Sequence, residues 1–316
     1  MPRVPAQERL DLLVDVARMY YEQGCSQEQI AQRFDISRSL VSGLLKACRE
    51  KGIVEIRIHD SRPTGARLQR LLSERYGLEQ AVVVPPGADA RAEVGLAAAR
   101  LLEVLVADRV RIGISWGSTL QAMVARVHPA RLKGVRVIQL HGGTGARDPE
   151  MDGFGLAQKL SAALCGSYVT IPAPIVVRTE KLRGMLAQEP RIHDALEEGA
   201  RSRIALFGIG SNAPAASSLV QLGILSRAES QRLVDKGIIA TVCGLHIDAG
   251  GAVGDTPLNR CLIGQDAPAI RRIPVRMAMA AGVEKTAAVR AALIGGFVTV
   301  LVADEAMAEL LVQDES

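Results

Sequence analysis

Apolar runs of strand length recur from residue 81 to residue 305: AVVVPP, RVRIGIS, GVRVIQLHGG, RIALFGIG, TVCGLHI and FVTVLVADE. Stretches with helical apolar spacing separate them, and most of the runs end at glycine or a polar residue. An alternation of buried strands and helices restricts the chain to an α/β fold in which a parallel sheet is wound with helices, because parallel neighbours need a crossover between them. The residue types agree. Apolar residues make up 48% of the chain but aromatics only 3%, so the core must be built from Ala, Val, Leu and Ile, as in sheets covered on both faces. We expect this wound domain to span residues 61–316.

Residues 1–60 follow a different rule. Leu10, Leu13, Ala17 and Tyr20 recur at helical spacing and predict a first helix that ends near Gly24. Ser26 or Gln27 opens a second helix through Phe34, Ser37 caps a third that runs to about Arg49, and Gly52 ends it. The alternating IVEIRIHD that follows predicts a short strand, and HDSRPTGA, His59–Ala66, has the composition of a linker. Two short helices joined at Asp35-Ile36-Ser37 fit a helix-turn-helix. That motif needs a small residue at the crossing, a residue tolerating a left-handed turn, and apolar residues seating the second helix. Ala31, Asp35, Val41 and Leu44 supply these. Gln27, Ser37, Arg38, Ser39, Ser42 and Lys46 are then the candidates to meet DNA phosphates and base edges.

Net charge is +4, compatible with a polyanionic partner, although residues 1–60 carry equal numbers of acidic and basic side chains. DNA binding must therefore rest on a local face and on more than one copy of the chain. The five cysteines are scattered without metal-ligand spacing and read as buried thiols, so neither a metal nor another cofactor is expected. No apolar run reaches membrane-spanning length and the N-terminus lacks a secretory pattern, which leads us to expect a cytoplasmic protein.

In a wound sheet, ligands sit at the carboxyl ends of strands. RIGISWGSTLQAM passes from a strand into a helix near Gly117, where the amides and hydroxyls around Ser118 and Thr119 can cradle an anion. Gly142, Gly143 and Thr144, the LFGIGSNAP loop with Gly208 and Gly210, and AGGAVGD with Asp255 repeat the pattern, so one shared crevice is expected. Lys285 in AGVEK can neutralise a phosphate, and Asp255 can accept hydrogen bonds from sugar hydroxyls.

The head, followed in order by IGISWGSTL, VIQLHGG, FGIG, GAVGD, AGVEK and AALIGGFVTVLVADEAMAELL, resembles the SorC family of bacterial transcriptional regulators over nearly the whole chain. The resemblance implies a winged helix-turn-helix head that reads operator DNA. It also implies an effector domain, distantly similar to sugar-phosphate isomerases and deaminases, that binds a sugar or polyol, commonly phosphorylated, within a homo-oligomer, tetramer or dimer. Carried over by motif, the effector contacts fall on Gly117, Ser118, Thr119, Gly142, Gly143, Thr144, Asp255 and Lys285. Asp35 stands where the family usually has glycine, and Gly43 where it often has arginine. The competing reading is an isomerase or deaminase with an accessory head. Such chemistry needs a general base and acid, and the similar deaminases carry Asp-Gly-His after the glycine loop. Here that loop continues SNAPAAS, and His141, His246, Asp248 and Asp255 are the remaining acid/base candidates, so no enzyme activity is expected.

Overall fold

A computed structural model of the chain describes residues 6–54, 63–145 and 152–313. It divides into two compact units, Met1–Ser61 and Arg62–Ser316.

In the first unit, α1 (Ala6–Tyr21), α2 (Gln27–Phe34) and α3 (Arg38–Glu50) bury Val16, Ile30, Val41 and Leu45 together. Local chemistry sets the breaks. Ser26 and Gln29 exchange hydrogen bonds in a capping box at the start of α2, and Ser37 Oγ accepts the Leu40 amide at 3.2 Å at the start of α3. Between them Asp35 sits at φ 52° and ψ 47°, the left-handed conformation the turn demands. Leu45 is the buried anchor of α3, with Leu44 half-buried beside it, while Leu10 and Tyr20 are exposed near the ends of α1 instead of joining Leu13 and Ala17 in the core. The predicted strand IVEIRIHD lies outside the described residues from Glu55 onward; Ile53 and Val54 pack beside Leu13, Ala17 and Cys48.

The second unit opens with α4 (Pro63–Tyr76), so the expected linker is helical from Pro63 onward. Proline at the first helical position is the reason, since its fixed φ suits a helix start and its missing N–H goes unused there. The strands are β1 (Gln80–Val84), β2 (Arg111–Ile114), β3 (Arg136–Gln139), β4 (Ser167–Val169), β5 (Ile204–Ser211), β6 (Ile238–Val242), β7 (Leu245–Asp248), β8 (Val275–Ala280) and β9 (Val300–Asp304). Seven pair in parallel in the order β1-β9-β8-β5-β2-β3-β4.

Helices cover both faces, and the period-2 alternation of the strands shows it. Ala205 and Phe207 of β5 point into one core with α4 and the helix Thr286–Ile294, while Ile204 and Leu206 point into the other. That second core is filled by α5 (Ala90–Leu105), α6 (Ser118–Val124) and α7 (Gly153–Ala163). The run TVCGLHI, expected as one strand, is a hairpin: β6 and β7 pair antiparallel around Cys243 (φ 49°) and Gly244 (φ 85°), and β6 also pairs with the end of β5. A two-residue turn with both φ values positive matches the twist of its strands. No helix among the described residues is long and apolar enough to cross a membrane.

Candidate functional site

Chain direction across the sheet reverses between β2 and β5, because β2 leads outward to β3 and β5 leads the other way to β8. A crevice opens at the carboxyl ends of strands wherever such a reversal occurs. A cavity of about 230 Å³ lies there, walled by the loop after β2, the end of β5, the hairpin turn and the loop after β8.

Each wall has a local cause. Gly117 (φ 125°) turns the chain from β2 into α6 in a conformation that side chains rarely adopt, and no side chain caps the helix start behind it. The first amides of α6, around Ser118 and Thr119, thus lack an internal partner of the usual kind. Gly210 lets β5 pass the Thr241 hydroxyl, which a β-carbon there would strike. Past β8, the Gly282 amide donates to Asp304 Oδ2 at 2.8 Å, tethering the loop that carries Lys285 to the end of β9. Trp116, half-buried, packs with Leu219, Leu225, Leu233 and Ile238 and closes one side.

Two cations face the cavity. Lys285 is half-buried, and burial lowers its pKa; Glu284 opposes that shift and Arg91 reinforces it. Arg91 is exposed at the start of α5. Among the described residues the lining includes Ser118, Gln121, Ser218, Gln221 and Thr241 but no Asp, Glu or His. Ser115, in the lining, donates to His141 Nε2 at 2.8 Å, because His141 Nδ1–H is committed to the Gly142 carbonyl at 2.8 Å. Burial holds the His141 imidazole below its ordinary pKa, against the Gly142 carbonyl and Asp152. Burial likewise pushes the Cys243 thiol up to about 12, with its side-chain hydrogen bond to Ser115 opposing the shift.

Of the residues expected to bind an effector, the structure brings Gly117, Ser118, Thr119 and Lys285 to this cavity, with Gly208 and Gly210. It does not bring the others, so the four glycine loops do not share one crevice. The Gly142 and Gly143 amides donate to Ile263 O at 2.9 Å and Ala173 O at 2.8 Å, and the Thr144 amide to Asp152 Oδ1 at 3.3 Å. A β-carbon at Gly142 would overlap the carbonyl oxygens of Ala173 and Pro174, so this glycine serves backbone packing. Asp255 is exposed in a separate groove and pairs with Arg260, which also binds Glu180 at 2.7 Å. Arg91, Gln121, Ser218, Gln221 and Thr241 escaped the sequence reading; only the rule that sites gather at strand ends pointed toward Arg91, which follows β1. His246 is buried in β7, where desolvation lowers its pKa to about 4, and does not line the cavity.

In the first unit Arg38, Ser39, Ser42 and Lys46 lie exposed along α3, Ser37 is its cap, and Gln27 is half-buried at the start of α2. Arg38 lies 3.8 Å from Glu28 and Lys46 3.8 Å from Glu50, exposed pairs too weak to withhold either cation from another anion. No group of three or more potential ligand side chains capable of holding a metal occurs among the described residues.

A wound parallel sheet with a polar crevice at its switch point, in a chain that opens with three helices, defines a class, and comparison with known proteins gives it a family. Residues 64–313 match the Sugar-bind family, a sugar-binding domain. The chain is 30% identical to the deoxyribonucleoside regulator of Bacillus subtilis over 97% of its own length and 99% of that protein. It is 28% identical to the transcriptional regulator LsrR of Enterobacter over 94% of its length and 91% of that protein. The full-length sorbitol operon regulator SorC of Klebsiella pneumoniae superposes with a TM-score of 0.74 at 26% identity, covering 97% of this chain and 100% of that one. The chain belongs to the SorC-like family of transcriptional regulators with a sugar-binding domain.

Proposed function

We propose that the chain is a cytoplasmic, homo-oligomeric regulator whose winged helix-turn-helix head binds operator DNA and whose crevice over β2 and β5 takes a phosphorylated sugar or polyol. The observation that carries the effector class is the presence of Arg91 and Lys285 at a cavity whose lining, among the described residues, holds no carboxylate. Burial disfavours the Lys285 ammonium, Glu284 offsetting and Arg91 adding to that cost, and a phosphate between Lys285 and Arg91 would turn their repulsion into a shared attraction. The uncapped start of α6 offers it further donors, and Gln121, Ser218, Gln221 and Thr241 match the hydroxyls of a polyol chain.

The same lining supports a receptor over an enzyme. Isomerisation or deamination of a sugar phosphate requires a proton acceptor at the substrate. His141, hydrogen-bonded to the lining residue Ser115, has both nitrogens engaged. Effector binding then acts by favouring one arrangement of the oligomer over another, and so one spacing of the heads relative to two half-sites.

The test is thermal denaturation of the full-length protein against paired free and phosphorylated sugars and polyols, followed by titration of the responding compound into a protein–DNA complex. At a hundred times its dissociation constant a ligand raises stability by about 2.7 kcal/mol. The expected result is a shift with a phosphorylated compound, none with its free partner, and a change in DNA affinity. A shift with the free sugar alone refutes the phosphate assignment; unchanged DNA affinity refutes the coupling.

A further inference from the structure

The outward face of α3 carries two features that the fold of the head does not require. Leu40 is 49% exposed, more than any other large apolar side chain described in this unit, and it belongs to neither apolar cluster of the head. Gly43, one turn on, is exposed in the middle of the helix, where glycine is destabilising relative to alanine. A β-carbon at Gly43 would meet nothing within 4 Å. Leu40 and Gly43 are three positions apart and Ser39 and Gly43 four, so the three form one patch on the helix surface. An exposed leucine alone needs no explanation. An exposed leucine beside a mid-helix glycine that has no packing reason among the described residues does, because the glycine lowers helix stability on the same square of surface where the leucine leaves apolar area in water.

We infer that Leu40 and Gly43 form a methyl-reading patch that selects a thymine in each DNA half-site. This rests on the proposal that the head binds operator DNA. The thymine C5-methyl is the apolar group that base pairs present in the major groove. Gly43 supplies the gap that lets the base edge come down onto Leu40, while Lys46, one turn on from Gly43, and Arg38, on the opposite flank of the helix from Leu40, are placed for phosphates.

The experiment starts by selecting sites for the full-length protein from random duplex DNA, then replaces each thymine of the selected site by deoxyuridine, which removes only the methyl. At one thymine per half-site, wild-type affinity falls about fourfold, the ratio set by burying one methyl at about 0.8 kcal/mol. Leu40→Ala binds the thymine and uracil duplexes equally well. Gly43→Ala melts at a higher temperature than wild type yet binds the selected site more weakly, a combination that a purely structural role does not produce. The inference is overturned if uracil substitution affects wild type and Leu40→Ala alike, if Gly43→Ala binds as tightly as wild type, or if Leu40→Ala changes the oligomer mass, which would make the patch a contact between copies. Failure of the wild type to select any sequence overturns DNA reading by the head and this inference with it, whereas methyl-blind selection overturns this inference alone.

Discussion

Lys285→Met separates a residue that serves a ligand from one that serves the fold, because the two roles predict opposite signs. In the empty protein the Lys285 ammonium is desolvated and faces Arg91, and its lowered pKa records that the charged form is less favourable there than in the unfolded chain. A methionine of similar length removes the charge and keeps the apolar stem in place, so the ligand-free variant is expected to melt at or above the wild-type temperature. The sign in pH agrees: with the folded pKa below the ordinary lysine value, the unfolded chain holds more protons between the two values, and wild-type stability rises with pH through that window. Binding behaves in reverse. One charge-assisted hydrogen bond to a phosphate contributes about 1.5–3 kcal/mol, so its loss weakens the effector about 10- to 150-fold. At a concentration a hundred times the wild-type dissociation constant, stabilisation of about 2.7 kcal/mol falls to about 0.9 kcal/mol for a 30-fold loss. Denaturation scans of both proteins, with and without the phosphorylated compound, read both signs in one assay. An unchanged ligand-induced shift in Lys285→Met, or an equal loss of stability with and without ligand, would refute the assignment.

Three further outcomes follow from the geometry. Asp35→Gly relieves a left-handed residue and is expected to stabilise the head by up to about 1 kcal/mol in denaturant unfolding; a destabilised variant would mean that the Asp35 side chain has a partner outweighing its backbone strain. Gly142→Ala drives a β-carbon into the Ala173 and Pro174 carbonyls and is expected to lower stability by about 1–3 kcal/mol while leaving effector affinity within about twofold, measured on the folded fraction by calorimetry. His246, with its pKa lowered to about 4 by burial, makes the unfolded state the better proton acceptor between about pH 6.5 and 4, so stability falls as the solution is acidified through that range. His246→Gln is expected to flatten the acid limb of a plot of melting temperature against pH, and an unaltered limb would assign the loss to other groups.

The two short helices of the head and the turn between them were legible because their instructions are local. A small residue, a left-handed turn residue and two serine caps within about twenty positions fix both helices, and the structure realises each of them at Ala31, Asp35, Ser26 and Ser37. The parallel sheet was legible for a similar reason, since buried strands announce themselves as apolar runs. The strand order was not. Arg91, Gln121, Ser218, Gln221 and Thr241 meet only because β2 and β5 are neighbours while β1 lies at the sheet edge, a long-range fact that no window of sequence contains. The hairpin at Cys243-Gly244 was missed because a cysteine with positive φ gives no turn signal, and with it went the wall that carries Thr241.

The glycine loops teach a sharper distinction, since all of them looked alike in the sequence. A glycine after a strand answers one of two demands: that another part of the backbone come close, or that the surface beside it stay empty. At Gly142 a β-carbon would collide with neighbouring carbonyls, so the residue is fully explained by the fold and its amide is already spent on Ile263. At Gly117 a β-carbon would meet nothing within 4 Å, and the turn into α6 opens on the cavity instead of on protein. Gly43 in the head is of this second kind, without the positive φ that helps to explain Gly117. A glycine beside which a β-carbon would meet nothing among the described residues is best understood by what has to approach it, and both such positions, Gly117 required by its turn and Gly43 at a cost in helix stability, fall where the two proposed partners, a phosphorylated effector and a base edge, come in.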